Sequence, residues 1–176
     1  MWASAPTGLD YVGIGVLDGP MEVPMILHLD QIDTNTLTNH SNVGGNIYLQ
    51  IGQDYFPEEN WYDIASLLLE QWIPAILSFS KNHTNVCKLT FYDGPCYAVL
   101  CRNADNRITV KCIYDQKTVT EEMVIDFPLF LKSVVKAGNK FCRLLHLQGR
   151  NNDNVAPSVQ SLKSFTRTVE DAGPYR

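Results

Sequence analysis

The stretch from residue 86 to 125 constrains the fold more than any other. Cys87, Leu89 and Phe91 alternate with Lys88, Thr90 and Tyr92, and Asp93-Gly94-Pro95 then reverses the chain. Cys96 to Arg102 is a mostly apolar run, and Asn103-Ala104-Asp105-Asn106 is a second turn. Ile108, Val110, Cys112 and Tyr114 alternate with Arg107, Thr109 and Lys111, and after Asp115-Gln116-Lys117 comes a fourth run, Thr118 to Ile125. Period-two runs joined by turns this short pair antiparallel, because a parallel connection takes roughly a dozen residues or more. A four-stranded meander follows from these residues alone.

The meander lies between two helix patterns. Before it, Asn46 to Gly52 alternates Ile47, Leu49 and Ile51 with polar positions, as a half-buried strand does. Pro57, Glu58, Glu59 and Asn60 then suit a helix start before Trp61, with acidic groups at the positive dipole end. Ile64, Leu67, Leu68, Trp72, Ile73 and Ile76 recur at three- and four-residue intervals. The spacing predicts a helix over about residues 60–80, kinked or ended early at Pro74. After the meander, Asp126-Phe127-Pro128 supplies an N-cap and an early-turn proline, and Leu131, Val134, Val135, Phe141, Leu144, Leu145 and Leu147 mark a second helix ending near Gly149. The order predicts an α+β fold: an antiparallel sheet of about five strands with two main helices packed on one face.

Outside this 46–149 core, residues 1–45 read as an irregular segment in which Tyr11 to Leu17 and Val23 to Leu29 fit edge strands. Residues 150–176 turn polar and read as a mobile tail, with one helical turn around Ser161 to Val169. A chain of 176 residues fits one domain. Its first twenty residues lack the basic n-region and continuous apolar core of a signal peptide, and no apolar run reaches membrane-spanning length. The five cysteines, Cys87, Cys96, Cys101, Cys112 and Cys142, are odd in number and contain no C-x-x-C pair. They fit neither a disulfide framework nor a zinc site, and the expected environment is a reducing cytoplasm.

Charge is divided unevenly along the chain. Residues 1–80 hold ten Asp or Glu and no Lys or Arg, whereas residues 81–176 hold fourteen basic and nine acidic residues, for net charges of -10 and +5. One reading is that the halves interleave and neutralise each other across the sheet; the other is a surface that steers a charged partner. Catalytic chemistry has little support. His28, His40, His83 and His146 are scattered without ligand spacing, so no metal or other cofactor is expected. Gly13-x-Gly15 and Gly44-Gly45 lack phosphate-loop spacing. Glu59 and Asp63 would lie one turn apart on the first helix, where helix-dipole placement explains them as well as a catalytic pair does. Lys132, Lys136, Lys140 and Arg143 form a basic stripe on the last helix, read as a solvated face; no nucleic-acid or membrane partner is expected.

The pattern Phe56-Pro57-x-x-x-Trp61-x-Asp63, an apolar helix with Trp72, Phe91-Tyr92-Asp93-Gly94-Pro95 and the Asp126-Phe127 helix resembles a family of small bacterial proteins similar in size and layout to the immunity proteins of polymorphic or contact-dependent toxin systems. The resemblance covers about residues 46–147. It implies a cytoplasmic, non-catalytic protein that neutralises a toxin by binding it, and the acidic first half suits a basic toxin. Asp54, Tyr55, Glu58, Glu59, Trp61, Tyr62, Asp63 and Glu70 are then the candidate partner-binding residues. The rival readings are a small enzyme with an unrecognised pocket and a subunit that homo-oligomerises through the uncovered sheet face.

Overall fold

The computed structural model describes residues 21–33, 42–150 and 154–171, and within them the chain is α+β. In chain order the elements are β1 (Val23–Ile32), β2 (Gly45–Ile51), β3 (Asp54–Phe56), β4 (Tyr62–Asp63), α1 (Ala65–Ser80), β5 (Val86–Thr90), β6 (Cys96–Arg102), β7 (Ile108–Tyr114), β8 (Lys117–Thr118), β9 (Met123–Asp126), α2 (Phe127–Leu147) and α3 (Val155–Asp171). The sheet runs β3-β2-β1-β9-β7-β6-β5, with β4 also on β2 and β8 also on β7. The first three strands of the predicted meander are present. Its fourth run, Thr118 to Ile125, is split into β8 and β9, both antiparallel to β7. At the β7–β8 turn Asp115 and Gln116 both have positive φ (47° and 63°), as a two-residue hairpin loop requires.

Three expectations are corrected. Val23–Ile32 is a central strand, not an edge: it pairs antiparallel with β2 and parallel with β9. The strands are therefore more numerous than about five and not all antiparallel. Tyr11 to Leu17 lies outside the described residues. The first helix starts at Ala65, not near residue 60, because Asn60 takes a left-handed φ of 61° and Tyr62 and Asp63 pair with Asn46 and Gly45. Its N-cap, Ile64, makes no side-chain cap bond, and the helix continues through Pro74 to Ser80. The polar C-terminal segment is no mobile tail over Val155–Asp171. There Val159, Leu162 and Thr166 bury one stripe of α3 against α1 and α2. Close approach needs Gly138: a Cβ there would stand 2.6 Å from Val159 Cγ2 and 3.3 Å from Ile73 Cδ1.

Met25, Leu27, Leu29, Ile47, Leu49, Leu89, Ala98, Leu100 and Val110 meet Leu68, Leu69, Trp72, Ile76, Phe130, Val134 and Phe141 in one core. Burying each large apolar side chain contributes about 1.5–3 kcal/mol. Trp72 packs edge-on to Phe91, and its indole N–H donates to the Thr90 carbonyl at 3.1 Å, so the hydrogen bond costs the core no unpaired donor. Asp126 caps α2 by accepting from Leu129 N at 2.9 Å, as the sequence predicts.

The junction between β1 and β9 is short, with only Val23–Ile125 and Pro24–Asp126 in register. Beyond it α2 supplies the missing partners of β1. Ser133 Oγ accepts from Leu27 N at 2.9 Å, and Lys140 Nζ donates to the Leu29 carbonyl at 2.5 Å and the Asp30 carbonyl at 3.2 Å. Lys140 is thus part of the fold, and Lys132 pairs with Glu170 of α3 at 2.8 Å, so two of the four stripe residues are not simply a solvated face.

Candidate acidic and aromatic docking edge

The edge of the sheet at β3 and β4 combines short strands with a buried carboxylate. Asp63, 1% exposed, accepts from Ile64 N (2.6 Å), Tyr92 N (2.9 Å), Asp93 N (3.1 Å) and the Trp61 indole N–H (3.3 Å). Two of these donors lie in the turn between β5 and β6, at the far end of the strand order. One carboxylate therefore ties β4 to the β5–β6 turn, which lies beside it although β5 stands at the other end of the strand order. Its oxygens are fully engaged, so Asp63 is a positioning residue, not an exposed contact, and it cannot share a proton with Glu59 along a helix because neither residue is helical. Trp61 is likewise half-buried, its ring lying over Gly94.

Five of the other candidates are exposed at this edge: Asp54 and Tyr55 on β3, Glu58 and Glu59 in the following turn, and Tyr62 on β4. Glu70 does not join them. It lies on α1 and accepts from Asn154 Nδ2 at 3.3 Å, next to α3. None of Asp54, Glu58 and Glu59 has a salt bridge among the described residues.

Several groups at this edge were not singled out from sequence. On the sheet face away from the helices, His28 stacks on Tyr48 (centroids 4.9 Å apart, planes 6° apart), and Tyr55 meets both rings edge-on. His28 Nε2 and Gln50 Oε1 are 2.9 Å apart, and Tyr48 donates its hydroxyl proton to Asp30 Oδ2 at 2.7 Å. Burial, the Asp30 bond and nearby negative charge, Glu59 included, hold the Tyr48 phenol well above its usual range. The period-two pattern of β2, which puts Tyr48 and Gln50 on one face, was the available signal; their partners on β1 became visible only with the β1–β2 register.

Tyr62 and Tyr92 line a small pocket with Asp63, Ile64 and Asp93, and its volume is about 170 Å³. The Tyr92 hydroxyl is bonded to Gln71 Nε2. Tyr62 is set over Gly44, where a Cβ would overlap its hydroxyl.

Elsewhere, burial pushes the Cys87 thiol up to about 12 and the Cys112 thiol up to about 11. Cys96 rises to about 11, first by burial and then by the charges of Asp63 and Asp93. Such thiols are shielded from forming the thiolate that nucleophilic chemistry needs. Among the described residues no three His, Cys, Asp or Glu gather in a metal-holding group, and no helix is long and apolar enough to cross a membrane. Comparison of the chain with protein-family models, curated proteins and solved structures finds no match. The likeness to immunity proteins stands on its sequence motifs alone.

Proposed function

We propose that the chain is a non-catalytic binding module that captures a basic protein through the β3–β4 edge, in the manner of an immunity protein neutralising a basic toxin. The observation that carries this reading is the grouping of exposed Tyr55, Tyr62 and Tyr92 with Asp54, Glu58, Glu59 and Asp93, none of which has a salt bridge among the described residues. Tyrosines supply large contact area at low conformational cost, and unpaired carboxylates around them speed encounter with a positive surface. The edge is rigidly mounted, because Asp63 fixes the backbone on both sides of the Tyr62–Tyr92 pocket.

The test is affinity capture from cells that naturally make the protein, using the wild type and the triple variant Asp54→Lys/Glu58→Lys/Glu59→Lys. The expected result is a basic protein held at low salt, released near ~0.3 M salt where screening is strong, and not held by the variant. Equal retention by both chains would overturn the assignment of this edge. Retention of nothing but further copies of the chain would favour self-association through the helix-free sheet face, where Val86 is exposed.

A further inference from the structure

We propose that the pocket between Tyr62 and Tyr92 receives the cationic end of one lysine or arginine side chain of the partner, with the two phenols as walls and the Asp93 carboxylate as counter-charge. The inference rests on reading this edge as a protein-binding surface, and it adds which chemical group is recognised and where. The cavity, about 170 Å³, has room for one long side chain and not for a folded ligand of drug size. Its walls are preorganised. Gln71 holds the Tyr92 hydroxyl from α1, and the absence of a side chain at Gly44 lets Tyr62 lie flat against β2's start. Fixed walls spare a ligand the entropy of ordering them.

The sign of the charge follows from what surrounds the cavity. Asp93 is exposed at its mouth and has no salt bridge among the described residues, and Asp63 lies at its floor. The charges of the same two carboxylates add to burial in raising the neighbouring Cys96 thiol. The positive end of the α1 dipole points to the same place, but Asp63 accepts the Ile64 N–H there and offsets it. Aromatic rings add their own attraction for a cation in such a site. A neutral alkyl chain of equal length would gain the contact area and lose the charge terms.

The experiment is a titration of the full chain, followed by amide NMR shifts of residues 62–64 and 92–94. The probes are capped Gly-Lys-Gly and Gly-Arg-Gly peptides, with capped Gly-norleucine-Gly as the neutral control. Saturable shifts confined to these amides are expected for the cationic probes at millimolar levels, and none for norleucine. The larger response of the two assigns ammonium or guanidinium. Tyr92→Leu and Asp93→Asn should each weaken binding about tenfold. Gly44→Ala, whose Cβ would push the exposed Tyr62 ring out of its place against Gly44, should do the same with the fold intact by circular dichroism. Absence of saturable shifts at these amides, or an equal response to norleucine, overturns the proposal. If the probes fail while the triple charge reversal still abolishes partner capture, the pocket is wrong and the docking edge stands. If the probes bind while capture ignores the reversal, the docking edge is wrong.

Discussion

The two ends of the sheet are built from the same kinds of strand and treat their charges in opposite ways. At the β5–β7 end two cations are matched locally by carboxylates, Arg107 with Asp105 at 2.5 Å and Lys111 with Glu122 at 3.4 Å, the latter carboxylate also accepting from Thr109 at 2.7 Å, while Lys88 lies over the Tyr97 ring and Arg102 over Phe79. The β1–β4 end has no lysine or arginine of its own, and Lys140 reaches it from α2 with a long salt bridge to Asp30, at 4.0 Å. In the sheet the two halves meet as neighbouring strands only where β1 meets β9, and off the sheet plane they meet again where α2 packs on β1 and α1 on β5. Exposed Asp54, Glu58 and Glu59 at the β3–β4 edge have no salt bridge among the described residues, whereas Asp105 and Glu122 at the other end each have one.

The largest expected effect comes from cutting the tie between β4 and the β5–β6 turn. Asp63→Ala removes the acceptor of three backbone N–H groups and an indole N–H, and with about 1–3 kcal/mol for each donor left buried and unpaired, a loss of at least ~3 kcal/mol is expected in urea unfolding. A loss below about 1 kcal/mol would mean that Asp63 is not what joins β4 to that turn. Next is Ser133→Ala, which strips the partner from Leu27 N where α2 takes over from β9 beside β1, and should cost about 1–3 kcal/mol by the same measurement.

Alkaline pH separates the two halves by chemistry, since all five cysteines belong to the second half. Cys87 and Cys112 are harder to ionise folded than unfolded, so their stabilisation is whole below pH ~9 and is lost as pH rises toward 11 to 12. Each thiol steepens the decline by about 1.4 kcal/mol per pH unit in that window. Tyr48, also raised, adds the same sign only above pH ~10, so the first part of the decline belongs to the buried and half-buried thiols, Cys142 of α2 among them. Cys112→Ala should flatten it; an unchanged slope in pH-dependent urea unfolding would contradict the burial of that thiol. The smallest effect on stability is expected for Glu58→Lys/Glu59→Lys, within about 0.5 kcal/mol, because both side chains are exposed and unpaired.

The β5–β7 end was the more legible end. Alternation and turn residues between Cys87 and Ile125 specify local pairings, and they placed β5, β6 and β7, while the expected fourth strand is broken into β8 and β9. The β1–β4 end depends on contacts far apart in sequence. The pairing of Tyr62 with Asn46, rather than any helical preference, decides that residues 57–64 stay out of α1, and nothing in Pro57-Glu58-Glu59-Asn60 announces it. Similarly, α3 has too few apolar residues to stand out: its stripe of Val159, Leu162 and Thr166 reads as a helix only once α1 and α2 present a surface to cover. Within the candidate site, the exposed residues Asp54, Tyr55, Glu58, Glu59 and Tyr62 were readable from composition and turn position. The buried role of Asp63 was not, because its donors come from thirty residues downstream.

The central claim is that the acidic end is an electrostatic docking surface, and the association rate of the captured basic partner tests it most directly. Measured from about 20 mM to 300 mM salt, that rate should fall steeply for the wild type and stay nearly flat for Asp54→Lys/Glu58→Lys/Glu59→Lys. The same salt slope in both proteins would contradict the account.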